Sequence, residues 1–458
     1  MKYRRSEVQK KAHAVPELRF EDQTLTSFAG LVLFQKFFAR IDLKRQLRRC
    51  FEPRRARKVF HPGTIFLQLI VHLLLGFREL QDLCYYRDDP LVQRLLGLQR
   101  LPTVATVSRV LKQAQPETVE NLRRFLRTRV LDGLQTFQPV RVTLDFDGSV
   151  QSTQRWAEGT AVGFNKKKKG ARSYYPLFCT VAQTGQVLDV LHRPGNVHDS
   201  QGAPAFILAC IAAVRVVLPH AVIEVRMDSA FFSDEIVSTL DHQGVEFTIS
   251  VPFERFVELK KMIESRQRWH RVDDQTSSFE AAWKPQCWDR RFRFVFIRTR
   301  AKKQQKGPIQ LDLFVPYEYG YEFKVIVTNK TLRAQGIAAF HEGRGSQEGV
   351  LGELKSHCHL DYVPVRTLCG NQLYLLAGLF AYNLTRELQM QTTSPVRGTT
   401  AQRCCLWVFT KVGTFRKTLL RRAGRLSRPQ GVLTLTLSAN SRVKTRLLQI
   451  LDRISAKA

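Results

Sequence analysis

Three acids in this 458-residue chain stand where carboxylates can do chemistry together: Asp147, Asp228 and Glu348. The first closes the run VRVTLDFDGSV, in which Val142, Leu144 and Phe146 alternate with Thr143, Asp145 and Asp147. Period-two alternation predicts a strand with Asp145 and Asp147 on one face. The second closes AVIEVRMDS, where Ile223, Val225 and Met227 alternate with Glu224, Arg226 and Asp228. The carboxyl ends of strands are where open α/β sheets gather functional groups. The third lies in FHEGRGSQEGVLGELKSH, Phe340 to His357. There Arg344, Glu348, Leu351 and Lys355 recur at helical steps, and His341 extends the stripe. Carboxylates are hard oxygen ligands for Mg²⁺, with Mn²⁺ able to substitute, and two such ions stabilise both oxygens of an in-line displacement at phosphorus. The plainer alternative is a solvated helix face carrying Arg–Glu and Glu–Lys pairs. Gly343, Gly345, Gly349 and Gly352 each cost about 1 kcal/mol against alanine inside a helix. A helix that tolerates them calls for close approach by another backbone or a ligand.

Charge names the partner class. Lys and Arg number 72 against 40 Asp and Glu, for a net charge of +32. A protein this basic expects a polyanion, with nucleic acid first. Carboxylates facing such a substrate repel it unless a metal inverts the local charge. Both ends are enriched: residues 1–60 hold 16 basic against 6 acidic residues, and residues 391–458 hold 14 against 1. The runs Glu52–Lys58 and Phe415–Arg428 suit phosphate contacts. Lys166, Lys167, Lys168 and Lys169 in FNKKKKGARS would grip a DNA backbone or form a solvated loop. His198 and Asp199 are placed either near the acids or as caps of the following helix.

The nine cysteines are odd in number and irregular in spacing, as in a reduced cytoplasmic chain. His357, Cys358 and His359 lack the second ligand pair that a zinc site needs. No apolar stretch follows the basic N-terminal residues, and the apolar windows Thr64–Phe77 and Leu373–Leu384 fall short of a span of about 20 residues. Both windows read as buried helices, and no membrane partner is expected.

Elements must then place the acids. Residues 1–135 read as a helical DNA-binding region. Within it, Asp88–Gln113 outlines a helix ending at Gly97 and a second opening at Thr103, a helix–turn–helix or an ordinary helical hairpin. From residue 136 the pattern becomes α/β, and residues 255–325, with Trp269, Trp283 and Trp288, read as a β-rich insertion with a hairpin loop at Ala301–Gln310. One of those tryptophans would stack on an unpaired base, or all are buried within the insertion. Residues 326–392 carry the helix of Glu348 and a last buried helix, and residues 393–458 read as a basic, poorly patterned tail.

The spacing His341-x2-Arg344-x3-Glu348-x6-Lys355 resembles the Y-R-E-K signature of DDE transposases from bacterial insertion sequences, with histidine in place of tyrosine. LDFDGS and RMDSAFFS resemble that family's first and second aspartate strands, and the subgroup is transposase DDE domain group 1. The resemblance implies an RNase H-like core, in two parts at 136–254 and 326–392, interrupted by the insertion. It implies a transposase that binds the terminal inverted repeats of an insertion sequence and performs metal-dependent cleavage and strand transfer on double-stranded DNA. Asp147, Asp228 and Glu348 would be its catalytic and metal-binding residues, with DGS favouring Asp147 and Asp145 left as the other candidate for first acid. His341, Arg344 and Lys355 would touch DNA phosphates. The implied assembly is a homodimer or larger synaptic complex in the bacterial cytoplasm, at the nucleoid. The alternative is a transposase-derived DNA-binding protein without catalysis.

Overall fold

The computed structural model describes residues 16–51, 59–163, 165, 168–198, 201–301, 320–398 and 406–456. Lys166, Lys167, Asp199, Cys404, Cys405, the run Glu52–Lys58 and positions 302–310 of the expected hairpin loop lie outside the described residues.

After a two-residue strand, β1 (Leu25–Thr26), six helices follow: α1 (Val32–Arg40), α2 (Leu43–Arg49), α3 (Pro62–Leu75), α4 (Pro90–Leu96), α5 (Val104–Lys112) and α6 (Pro116–Phe137). Local chemistry sets their ends. Pro62 opens α3, His61 Nδ1 accepts the Gly63 N–H at 3.1 Å, and the helix stops at left-handed Gly76. Asp89 caps α4, which ends at left-handed Gly97, and Thr103 caps α5. The two-helix outline is therefore present, with Val107 and Leu111 of α5 buried and Arg109 exposed.

The sheet comes next in the chain. It begins with β2 (Arg141–Gly148), then a small side sheet of β3 (Gln151–Ser152), β4 (Ala161–Val162) and β5 (Arg172–Tyr174). The main sheet resumes with β6 (Leu177–Val181) and β7 (Gln186–Leu191), then α7 (Ala203–Val217), β8 (Val222–Met227), α8 (Asp234–His242), β9 (Glu246–Val251) and α9 (Val257–Glu264). Four strands extend it: β10 (His270–Arg271), β11 (Thr276–Trp283), β12 (Phe292–Arg300) and β13 (Tyr321–Thr328). The nine strands lie in the order β10-β11-β12-β13-β9-β8-β2-β6-β7. Strands β2, β8 and β9 are parallel; every other pairing is antiparallel.

The β-rich segment expected to be an insertion thus prolongs the main sheet, because β13 pairs with β9 and crosses the 325/326 boundary. Trp283, Trp288 and Phe279 are buried in the same cluster as Leu144, Val225 and Phe247, and Trp269 packs against it partly buried. The opposite face of the sheet meets the helices. Phe178, Val187 and Val190 share a core with α1, α3 and later helices; three helices follow the sheet, α10 (Ala334–Glu342), α11 (Gly345–His357) and α12 (Leu368–Thr392). Of the last three, α11 and α12 contribute side chains to that core, while Ile337 of α10 packs in a separate small cluster with Val295, Ile297 and Ile326. The 25-residue α12 is buried over most of its length. Among the described residues no single helix is long and apolar enough to cross a membrane.

The tail is more ordered in pattern than its composition suggests. It holds α13 (Val412–Phe415), β14 (Gly424–Ser427), β15 (Thr434–Leu437) and α14 (Ser441–Ala456). β14 pairs with both β15 and β1, and α14 buries Leu447, Ile450 and Ile454. Buried Arg416 donates to the carbonyls of Leu73, Leu74 and His357, so one guanidinium caps the last turns of both α3 and α11. A Cβ at Gly76 would sit 2.5 Å from that guanidinium, so glycine there serves both the left-handed backbone and the fit.

Candidate functional site

Register brings the two aspartates together. Along β2 and β8 each residue faces the one 81 positions later, from Arg141 opposite Val222 to Asp145 opposite Arg226. The same offset carried one step further along each strand face places Asp147 beside Asp228, on parallel strands whose axes are about 4.8 Å apart. Asp147 is the penultimate residue of β2, with its side chain 19% exposed. Asp228 follows β8 directly, and its Oδ1 accepts the Ala230 N–H at 3.0 Å. Gly148, Ser149 and Ala230, next to the two acids in sequence, line a cleft of about 830 Å³.

Asp145 takes a different role from its neighbour two residues on. It is fully buried, and Arg226 donates to both of its oxygens, Nε to Oδ1 at 2.6 Å and Nη2 to Oδ2 at 2.7 Å. Burial pushes its carboxyl above the usual range despite that partner. Arg226 Nη1 also donates to the Phe340 carbonyl at 2.9 Å, tying β2 and β8 to the end of α10. Gly343 is required here: a Cβ on it would lie 2.1 Å from Arg226 Nη1. Gly345, Gly349 and Gly352 face open space.

The chain breaks between α10 and α11 at Gly343 and Arg344, so the stripe expected on one helix is shared between two. Arg344 opens α11 and reaches back over the sheet. Its Nη1 lies 3.6 Å from Asp147 Oδ2, and its Nη2 lies 3.2 Å from Glu348 Oε1. Glu348 sits in the first turn of α11 with its side chain 63% exposed. The helix is anchored from beneath by Glu353, whose Oε2 accepts from Arg386 of α12 at 2.8 Å and whose Oε1 accepts the Val412 N–H at 2.5 Å. Gln347 adds a bond from Nε2 to the Asp145 carbonyl at 2.9 Å.

The donor set suits a hard divalent cation. All the candidate ligands are carboxylate oxygens, and a positive group already draws Asp147 and Glu348 to one point. Among the described residues, however, no three His, Cys, Asp or Glu side chains are closed tightly enough to hold an ion. The Arg344 guanidinium stands between Asp147 and Glu348 in this arrangement.

A family model described as transposase DDE domain group 1 matches residues 8–458. The chain belongs to that family. Among solved structures it is similar to piggyBac transposase in a synaptic complex with hairpin DNA, at 12% identity and a TM-score of 0.42 over 78% of this chain and 74% of that one. It is also similar to Mos1 transposase in a paired-end complex with the left transposon end, at 10% identity and a TM-score of 0.18 over 53% and 71% of the two chains. No curated protein matches by sequence.

In this DDE-family chain the remaining expected contacts divide. His341, expected to touch phosphate, does not reach the cleft. It is 1% exposed, with Nδ1 3.0 Å from Thr248 Oγ1 and Nε2 2.8 Å from Ser250 Oγ, so both ring nitrogens are engaged against β9. Burial, with the charges of Lys324, Arg344 and Arg226, brings its pKa down to about 3. The reason is geometric: His341 is the penultimate residue of α10, whose face turns to the sheet before the break at Gly343. A neutral buried histidine costs stability in acid. The unfolded chain takes up its proton below about pH 6.5, the folded one only near pH 3. Between those values this residue should contribute a loss of about 1.4 kcal/mol per pH unit. Urea midpoints of His341→Gln should therefore fall less steeply than wild type from pH 6.5 to 4; parallel curves would contradict this.

Lys355 and Lys168 do line the cleft, and Lys169 is exposed next to Lys168. His198 lines it too, together with Arg78 and Arg255, which sequence reasoning missed. Arg78 comes from the loop after α3 and Arg255 from the turn before α9, positions with no local motif. By contrast, Cys358 is buried and its thiol is pushed up to about 12, while His359 Nε2 lies 3.3 Å from the Gly76 carbonyl.

Proposed function

We propose that this chain is a DNA transposase that binds the terminal inverted repeats of an insertion sequence and cuts and joins DNA at Asp147, Asp228 and Glu348. The observation that supports the reading is the register of β2 and β8, whose offset of 81 positions, extended one step, puts Asp147 level with Asp228 next to residues that line a basic cleft, with Glu348 tied to Asp147 through Arg344. The strand order β7-β6-β2-β8-β9, an antiparallel meander followed by two parallel strands, supports an RNase H-like core.

The reaction class is in-line displacement at phosphorus. A water oxygen bonds to the phosphorus and the 3′-oxygen leaves; in joining, that 3′-hydroxyl attacks a target phosphodiester and displaces its 3′-oxygen. Asp147, Asp228 and Glu348 would hold divalent Mg²⁺ or Mn²⁺, which stabilises charge on the attacking and leaving oxygens. The protein's own part is to position. Arg344 releases Glu348 and turns its fork to a backbone phosphate. Lys355, Lys168, Arg78 and Arg255 neutralise phosphates along the cleft. Asp145 and Arg226 hold the floor beneath Asp147 without touching substrate. Two element ends have to be processed together, so a homodimer or larger synaptic complex is the working form.

The test is cleavage of a duplex carrying the element's terminal repeat, in Mg²⁺ and in Mn²⁺, by wild type and Glu348→Gln. Cutting at the repeat boundary by wild type, with binding but no cutting by the variant, is the expected result. If both proteins bind and neither cuts in either metal, the chain is a DNA-binding derivative of a transposase.

A further inference from the structure

The edge that carries the aspartates also carries a lysine from the added strands. β9 runs parallel to β8 and β2, and β13 runs antiparallel to β9, so β13 begins where the other three end. Ile326 of β13 is the register partner of Ser250, whose hydroxyl meets His341 beneath α10. Lys324 is two residues earlier on the same face, one side-chain step nearer the carboxylate edge. There it is partly buried and lies within electrostatic reach of Glu342, Arg344 and Glu348.

Its surroundings hold two carboxylates and one guanidinium. Burial holds the Lys324 ammonium below its usual pKa; Glu342 and Glu348 oppose that shift and Arg344 adds to it. Among the described residues Lys324 makes no ion pair within 4.0 Å. The nearby Glu348 is engaged by Arg344 instead. A partly desolvated ammonium without a direct counter-ion gains most from an anion brought into contact. At this edge of a chain with net charge +32, the anion that fits is a phosphodiester.

We propose that Lys324 is a phosphate-contact residue at the sheet end that carries the aspartates, gripping the DNA backbone near the bond that is cut. This rests on the DNA-processing reading above. It assigns the strands between β9 and α10 a direct part in substrate binding, through one side chain delivered to the edge they share with Asp147 and Asp228.

The experiment measures binding of the full chain to a fluorescein-labelled random-sequence duplex across a KCl series. Wild type, Lys324→Met and Lys324→Arg are compared, with thermal unfolding of each. Methionine keeps the aliphatic stem and removes the charge. The slope of log K against log salt should fall by about 0.9 in Lys324→Met, the value of one phosphate contact, and return to wild type in Lys324→Arg. An unchanged slope in Lys324→Met overturns the proposal, whatever happens to cleavage. So does a slope lowered equally in Lys324→Arg. If Lys324→Met does not fold, Lys324→Gln is read against Lys324→Arg by the same criterion. The slope does not depend on cutting: a reduced slope in a chain whose wild type cleaves nothing supports the contact and refutes the proposed reaction instead.

Discussion

Asp147→Asn should lower single-turnover cleavage of a terminal-repeat duplex by at least about a hundred- to a thousandfold while DNA binding holds or tightens. The substitution keeps size and hydrogen-bonding shape and removes one negative charge. That charge stands at the cleft mouth, where Arg344 now offsets it at 3.6 Å. On the proposed role of Asp147, a metal would lose a ligand, so chemistry should fail. DNA loses a repelling group, so binding does not. Asp228→Asn should behave alike, and the double variant should be little worse than either single one, because the residues act as a unit. Unfolding midpoints should stay near wild type, since Asp147 and Asp228 are only partly buried, at the end of the sheet. Cleavage retained within tenfold in Asp147→Asn would sink the assignment.

Asp145→Asn should show the reverse pattern. Removing one partner of a buried ion pair strands the other, at a cost of about 3–5 kcal/mol. Arg226 is the one stranded: 6% exposed, bidentate to Asp145 and bonded to Phe340. Equilibrium urea unfolding reads the loss. The double variant Asp145→Leu with Arg226→Met should recover much of it, because two apolar groups of similar volume leave no buried charge. If Asp145→Asn is as stable as wild type, the pair is not the brace described here. Two aspartates one pleat apart would then be separated by function alone.

The contrast between these neighbours explains what the sequence could and could not tell. Strand alternation placed Asp145 and Asp147 on one face correctly, but alternation says nothing about depth. Depth is set by α11 lying across β2, through Gln347 and the Asp145 carbonyl. A signal for the pair did exist. Asp145 and Arg226 are separated by the same 81 positions as Asp147 and Asp228, as expected of two parallel strands in one register. His341 misled for a different reason. Its step of three to Arg344 fits one helix, but Gly343 divides the segment, and the close passage of Arg226 that requires glycine there is a long-range fact. In the tail, read as poorly patterned, the spacing of Leu447, Ile450 and Ile454 is a helix face that was open to reading but passed over. The pairing of β14 with β1 was not open to reading, because contacts across some 400 positions leave no local pattern.

That last pairing bears on when the molecule is finished. Synthesis delivers β1 some 400 positions before its partner strand, and Arg416 caps α3 and α11 only once it too has been made. Until Arg416 has been translated, the sheet that holds Asp147 and Asp228 can pair, but the helix bearing Glu348 lacks its closing cap. Contacts of such long sequence separation form late. The helix bearing Glu348 therefore gains its closing cap from a segment that follows it by about sixty positions, after the strands of the main sheet have all been made.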